Sequence, residues 1–280
     1  MLKEIRVETG IVKSFNLDTL YLNEPVVVAG IEGAEPDAAD VVAAGRARAT
    51  LLPKEILAAF DVTYDWMRKN ILNRIGSITR EEAQARAMQM LNDLFAKRFG
   101  KDVVMIAFSG DTTIVGVTRT DKALKVLDGF IKQAEGDVDV HDYTIPVNPS
   151  YNNVVFPGML QLMPKDYLDE LQNLAFFVAP EVYLAYAFEM GQRATAIGDQ
   201  IILGDGSRKL YYHGVELVSV YKQATGRIIL TLKQNLAVGF GKEITVETEK
   251  KPRARKVEAT FMAEMDAKYA LGDAIVLGAA

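Results

Sequence analysis

The sequence predicts an α+β protein, and three observations carry that prediction. Extended, β-branched segments dominate both ends of the chain. One long apolar-periodic run sits between them, near residues 80–99. The middle, Leu124–Tyr221, alternates helical and strand patterns. At 280 residues and 49% hydrophobic content, the chain can bury a sizeable core in one large domain or two small ones.

From the N-terminus, residues 5–28 are rich in Val, Ile, Leu and Tyr and read as extended. Ala29 to Gly45 is dominated by Ala, Gly, Glu and Asp, with Pro36 inside it, and this composition predicts a mobile loop. "RATLLPKEILAAFDVT" returns as a second extended segment. Two extended arms around such a tip make a long hairpin, which is marginal alone in water and must lie on something, such as another subunit. Thr63 is placed to cap a short helix through Trp66, Ile71 and Leu72 that Gly76 closes. Thr79-Arg80-Glu81-Glu82 reads as a capping box. Ala83, Ala87, Leu91, Leu94 and Phe95 then share one face of a helix that Gly100 is expected to stop.

"VVMIAFSGDTT" follows as a buried strand or apolar segment ending in a turn. Leu124, Leu127, Phe130 and Ile131 fit one helix, and "EGDVDVHD" reads as an acidic loop. Pro157 and Pro164 flank short helices. "LAFFVAP" predicts a strand buried on both faces, and Pro180 opens a helix that Gly191 stops. Ile228–Leu232 and Ile244–Glu249 predict strands. From Val257 to Ala267 the alternation is strict: Val257, Ala259, Phe261, Ala263, Met265 and Ala267 against Glu258, Thr260, Glu264 and Asp266. This predicts a long, half-exposed strand. "GDAIVLGAA" is a final short strand. No internal repeat is visible.

The composition narrows the chemistry. Cysteine is absent, which excludes disulfides, thiolate zinc sites and cysteine nucleophiles. His141 and His213 are the only imidazoles, too few for a multi-histidine metal site. A net charge of −5 disfavours tight DNA binding through many phosphate contacts. No apolar run is long enough to cross a bilayer, and "MLKEIRVETG" has no apolar signal core, so the chain reads as soluble, intracellularly made and without a membrane partner.

The candidate motifs mostly favour structural readings. Gly204-Asp205-Gly206 lies between strand-like flanks, so it reads as a hairpin turn; a phosphate cradle would open a helix. Ser109-Gly110-Asp111-Thr112 lacks the Lys-Ser/Thr of a P-loop. Glu32, Glu35, Asp37 and Asp40 do not match calcium-loop spacing. Asp137, Asp139 and His141, with Asp142 beside them, would share a face in an extended strand and converge on a metal; a solvated acidic loop is the commoner reading. Lys250, Lys251, Arg253, Arg255 and Lys256 form the only basic concentration, facing nucleic acid or an acidic partner, or else a solvated turn. No Ser-His-Asp order or G-x-S-x-G elbow occurs. The residues therefore assign no catalytic, cofactor-binding or metal site, and no cofactor.

Several stretches, in order, resemble one family. They are "FDVTYDWMRKNI", "LFAKRFGKDVVMIAFSGDTT", "KVLDGFIKQA", "FFVAPEVYLAYAFEMGQRATAIGD", "YYHGVELVSV" and "ILTLKQNLAVGFGKEITVE". Together they resemble the major capsid protein of tailed bacteriophages, the Hong Kong 97 fold, over roughly Val7 to Val276. The resemblance implies an extended loop at 1–60, with a short N-terminal arm. It implies a peripheral domain at 61–122 and 241–280, holding a spine helix at about 80–99 and long β-strands, and an α/β axial domain at 123–240. The implied function is a non-enzymatic head protein of the virion that assembles in the host cytoplasm. It would form pentamers and hexamers of an icosahedral shell around double-stranded DNA, held by weak non-specific contact.

The implied partners are itself, a scaffold, a portal and decoration proteins. An encapsulin-like nanocompartment shell is the alternative reading, and a metal-dependent α/β enzyme using Asp137–Asp142 a further one. The extended loop starts within the first ten residues, where family members often carry an arm or scaffolding segment. A protease-trimmed product and a separate scaffold both fit. Some relatives cross-link a lysine to an asparagine; Lys3, Lys13 and Lys54 are possible donors, but no motif fixes a partner and no cross-link is carried over.

Overall fold

A computed structural model of the chain describes residues 4–21, 45–70, 80–169, 171–192, 209–241 and 245–280. Most of the Ala29–Gly45 loop, the acids Glu32 to Asp40, the Thr79 cap, Gly76 and the Gly204-Asp205-Gly206 turn lie outside them. In chain order the described elements begin with β1 (Arg6–Glu8), β2 (Phe15–Tyr21), β3 (Gly45–Leu51), β4 (Lys54–Thr63), α1 (Tyr64–Asn70) and α2 (Arg80–Ser109). Next come α3 (Arg119–Leu124), α4 (Phe130–Ala134), β5 (His141–Thr144), a π-helical turn (Tyr151–Val155), α5 (Phe156–Leu162) and α6 (Lys165–Leu168). They end with β6 (Leu174–Val178), α7 (Pro180–Gly191), β7 (Leu210–Tyr212), β8 (Val215–Ser219), β9 (Arg227–Leu232), β10 (Leu236–Phe240), β11 (Thr245–Lys251), β12 (Lys256–Tyr269) and β13 (Ile275–Ala279).

The long strand β12 organises the first sheet. Val257, Ala259, Phe261, Ala263, Met265 and Ala267 are all buried, as the alternation predicts. β4 pairs antiparallel along residues 256–265. On the other edge β11 pairs with 256–262 and β10 with 265–269, and β1 runs parallel beside β10. The helix α2 lies across this sheet. Phe95 stacks on Phe261 with ring centroids 3.5 Å apart and on Phe60 at 5.5 Å. Such pairs add about 0.5–1.5 kcal/mol each beyond burial.

The second sheet has six strands in the order β5-β13-β9-β6-β8-β7. β6 is buried throughout because both its faces are covered. Ala175 and Phe177 join a core with the end of α2, α4, β10 and β12. Leu174, Phe176 and Val178 join a core with α5 and α7. The buried Asn235 ties the two sheets at their junction. Its amide donates to the Leu271 carbonyl at 2.8 Å and to Thr231 Oγ1 at 3.0 Å. Its oxygen accepts from the backbone of Ala270 at 3.1 Å and Leu271 at 2.8 Å.

Several expectations are corrected. α2 has 30 residues and passes through Gly100. Glycine in a helix costs only about 1 kcal/mol, and here Val103 to Phe108 are all buried and hold the next turns in place. "VVMIAF" is therefore helix, apolar all round because it is enclosed all round. Leu94 is exposed; Leu91 and Phe95 face the sheet instead. The single helix expected from Leu124 to Ile131 is two, α3 and α4, broken before Gly129. The acidic loop ends in the first two residues of a strand, β5, which pairs parallel with β13.

The second extended arm also divides. Residues 45–51 pair with β2, whereas 54–63 pair with β12. So 54–60, expected in the extended loop, belong to the five-stranded sheet. The final short strand, expected in the peripheral domain, pairs in the six-stranded sheet.

Candidate assembly interface

The motifs singled out in the sequence resolve into structural parts. Ser109-Gly110-Asp111-Thr112 is the exit from α2. A Cβ on Gly110 would lie 2.3 Å from the Leu127 carbonyl, and one on Gly129 would lie 2.7 Å from the Gly110 nitrogen. The two glycines let the chain cross itself, closed by a 2.8 Å hydrogen bond from Gly129 N–H to the Gly110 carbonyl. The Asp111 carboxyl accepts from Thr113 Oγ1 at 2.5 Å and from its N–H at 2.8 Å. The Thr113 hydroxyl, more than any other neighbour, holds that carboxyl below its usual range. His213-Gly214 forms the two-residue turn between β7 and β8, with φ of 46° and 91°. Positive φ at both positions is what a type I′ hairpin requires.

Asp137, Asp139 and His141 line one cleft of about 690 Å³ with Tyr269, Gly272 and Asp273, but they do not converge. Asp137 accepts from the Tyr269 hydroxyl at 2.7 Å and from the Asp139 N–H at 3.1 Å. His141 Nε2 meets Asp273 at 3.2 Å instead. Among the described residues no group of three acids or histidines is disposed to hold a metal ion. Burial, followed by the Asp137 hydrogen bond, pushes the Tyr269 phenol up.

The basic run forms the turn from β11 to β12. Lys251 pairs with Glu258, and Lys256 with Asp61 at 2.7 Å. Arg255 stands at φ 52°. Of the possible cross-link donors, Lys13 and Lys54 are exposed and Lys3 lies outside the described residues.

Two surfaces have the character of contacts awaiting a partner. The β2–β3 hairpin is a sheet of two strands that pairs with no other described strand. Among the described residues its core lies at the base, where Leu17 and Leu51 pack on Ile11 and Ala237. The Leu52 N–H donates to the buried Asp266 carboxylate at 2.7 Å, which anchors that base. Farther out, Asp18 accepts from Arg46 at 2.8 Å and Arg48 at 2.7 Å, which hold its carboxyl down to about 2, Arg48 most strongly. The second surface is the outer face of α7. Val182 and Tyr186 face the core, while Leu184 and Phe188, one turn apart, stay 54% and 69% exposed. The sequence signal for this was available: α7 is apolar nearly all round, which a helix covered on one side alone does not need.

The fold places the chain in a class of α+β proteins with an extended two-stranded arm beside two sheets. No family model matches the chain. A Bacillus subtilis (strain 168) protein named as a prophage capsid protein, YqbE, is 25% identical over 234 residues, covering 80% of this chain and 68% of its own length. Among solved structures, the procapsid of satellite phage P4 has a TM-score of 0.64 at 12% identity, covering 99% of this chain and 92% of its own. The capsid of an empty GTA particle has a TM-score of 0.61 at 14% identity, covering 100% and 89%. Mycobacterium phage Adephagia gives 0.56 at 11%, covering 99% and 88%. The chain has the Hong Kong 97 capsid fold of the tailed bacteriophages.

Proposed function

We propose that this chain is the major capsid protein of a tailed phage or prophage, a structural subunit of the virion that carries no catalysis. It associates with itself into pentamers and hexamers that close an icosahedral shell. The observation that carries this reading is the β2–β3 hairpin: two strands that pair with no other described strand, a described core at the base, and a whole-chain fold shared with phage capsid structures. A two-stranded hairpin is marginal in water, so its remaining faces are stabilised by a neighbouring subunit. In this reading β2–β3 belongs to the extended loop. α2 and the β12 sheet form the peripheral domain, and the six-stranded sheet with α5 to α7 forms the axial domain. Double-stranded DNA inside, a scaffold, a portal and assembly in the host cytoplasm complete the proposal.

Electron microscopy of the purified protein tests it. Closed shells or ring-shaped capsomers are expected. A single particle near 30.9 kDa at all concentrations and salts refutes it. Nuclease-protected DNA inside the particles separates a phage head from a nanocompartment holding protein.

A further inference from the structure

β12 carries opposite charge at its two ends. At its start is the turn from β11. Lys251 is neutralised by Glu258 and Glu249, and Lys256 by Asp61 and Glu258. Lys250, Arg253 and Arg255 are exposed and have no carboxylate partner among the described residues. Arg255 holds φ at 52°, where glycine or asparagine would sit with less strain. The turn geometry explains the backbone there, but not the arginine. An outlier of this kind points from strain to function.

At the far end, the chain leaves Tyr269 and turns through Gly272 to β13. Asp137, Asp139 and Asp273 line one cleft beside this turn. Asp139 is exposed and lacks a cationic partner among the described residues, and Asp273 meets only His141. Arg48, on the opposite wall of the cleft, is already engaged by Asp18.

A strand of 14 residues at about 3.3 Å per residue separates the two ends by roughly 43 Å. That is about four Debye lengths at 0.1 M salt, so these charges do not neutralise one another within a subunit. We propose that they do so between subunits: the Lys250–Arg255 turn of one copy docks on the face formed by Asp137, Asp139 and Asp273 of the next. The contact is head-to-tail, the kind that generates closed rings when the rotation closes. Three cations on a chain of net charge −5 suit DNA poorly, because the rest of the surface repels phosphate. The matching acidic face is instead present on every copy. This inference rests on the shell-forming reading.

Two measurements on the full chain test it. Wild-type particles assembled from an equal mixture of ¹⁴N- and ¹⁵N-labelled subunits are treated with a water-soluble carbodiimide. It takes up water as the Lys250 amine and a carboxylate condense to an amide. Mass spectrometry is expected to find mixed-isotope links from Lys250 to Asp137, Asp139 or Asp273. Second, R253E/R255E and D139R/D273R are each expected to lower the assembled fraction about tenfold at roughly 0.1 M salt, with folded subunits by circular dichroism. The combined four-fold variant is expected to recover it. Normal shells from both charge-reversed variants overturn this contact and leave the shell reading standing. If wild-type protein never assembles, the shell reading itself fails. If R253E/R255E alone is defective and has lost retention of a short double-stranded DNA, the turn serves DNA and the proposal is wrong.

Discussion

Replacing Asn235 by leucine removes the polar joint between the two sheets while keeping the side chain's approximate volume. Asn235 is 5% exposed, so water cannot take over its bonds. Of its four partners, Ala270 N–H keeps a bond to the Asn235 backbone carbonyl at 3.0 Å, and Thr231 Oγ1 keeps its donation to the Ala274 carbonyl at 2.7 Å. Leu271 N–H and the Leu271 carbonyl both lose the side-chain bond. Each buried group left unpaired costs about 1–3 kcal/mol, so Asn235→Leu is expected to cost about 2–6 kcal/mol. This is a large part of a typical domain stability of about 5–15 kcal/mol.

The assay is urea unfolding of unassembled subunits, followed by far-ultraviolet circular dichroism. Asn235→Asp sharpens it. Its carboxylate can still accept from the two N–H groups but faces the Leu271 carbonyl, so the charged form is disfavoured and the folded pKa rises above the ordinary value of about 3.9. An acid with a raised folded pKa holds its proton longer in the native state. Its stability is therefore greatest below the unfolded pKa and falls as pH rises through the folded one. Asn235→Asp should regain stability relative to wild type on acidification, whereas Asn235→Leu should not. A loss below about 1 kcal/mol for Asn235→Leu would refute the accounting.

Three other outcomes are expected. Gly129→Ala places a Cβ 2.7–2.8 Å from backbone atoms of Ala107, Phe108 and Gly110, and calorimetry should show a loss of about 2–3 kcal/mol. Burial opposes the charge of Glu216 most strongly, yet Lys209 and Lys233 at 2.6 and 2.5 Å together hold its carboxyl below 4.5. Its contribution is present above pH 4.5 and lost as pH falls through the folded pKa. Glu216→Gln should therefore cost about 1–2 kcal/mol at neutral pH, and its stability should fall less steeply on acidification than that of wild type. Leu184→Ser with Phe188→Ser should leave the melting temperature of the subunit within about 2 °C, because both side chains are exposed. Particle yield by light scattering should fall sharply, since each apolar side chain buried in a contact contributes about 1.5–3 kcal/mol.

Much of the fold was written in local pattern. The strict alternation of β12 is a direct consequence of one covered face and one open face. Thr63 caps α1 as expected, accepting from the Trp66 N–H at 3.3 Å, because the bond needs only three residues in sequence. Pro180 opens α7 for the same local reason. The candidate interface was half legible. That the hairpin has little core of its own follows from composition, while the exposure of Leu184 and Phe188 depends on which side of α7 meets β8 and the π-helical turn.

By itself, then, the sequence determined the periodic elements, the absence of cysteine chemistry, and the order of parts that marks the capsid fold. Only the tertiary structure decided where α2 ends, because an apolar run enclosed on all sides has no period to read. It alone separated Asp137 from His141, giving one to Tyr269 and the other to Asp273, residues 132 positions away in each case. It alone set cations and carboxylates that lack an opposite-charge lysine, arginine or carboxylate partner among the described residues at opposite ends of one strand. Pairing of side chains distant in sequence is a property of packing, and packing has no local signature along the chain.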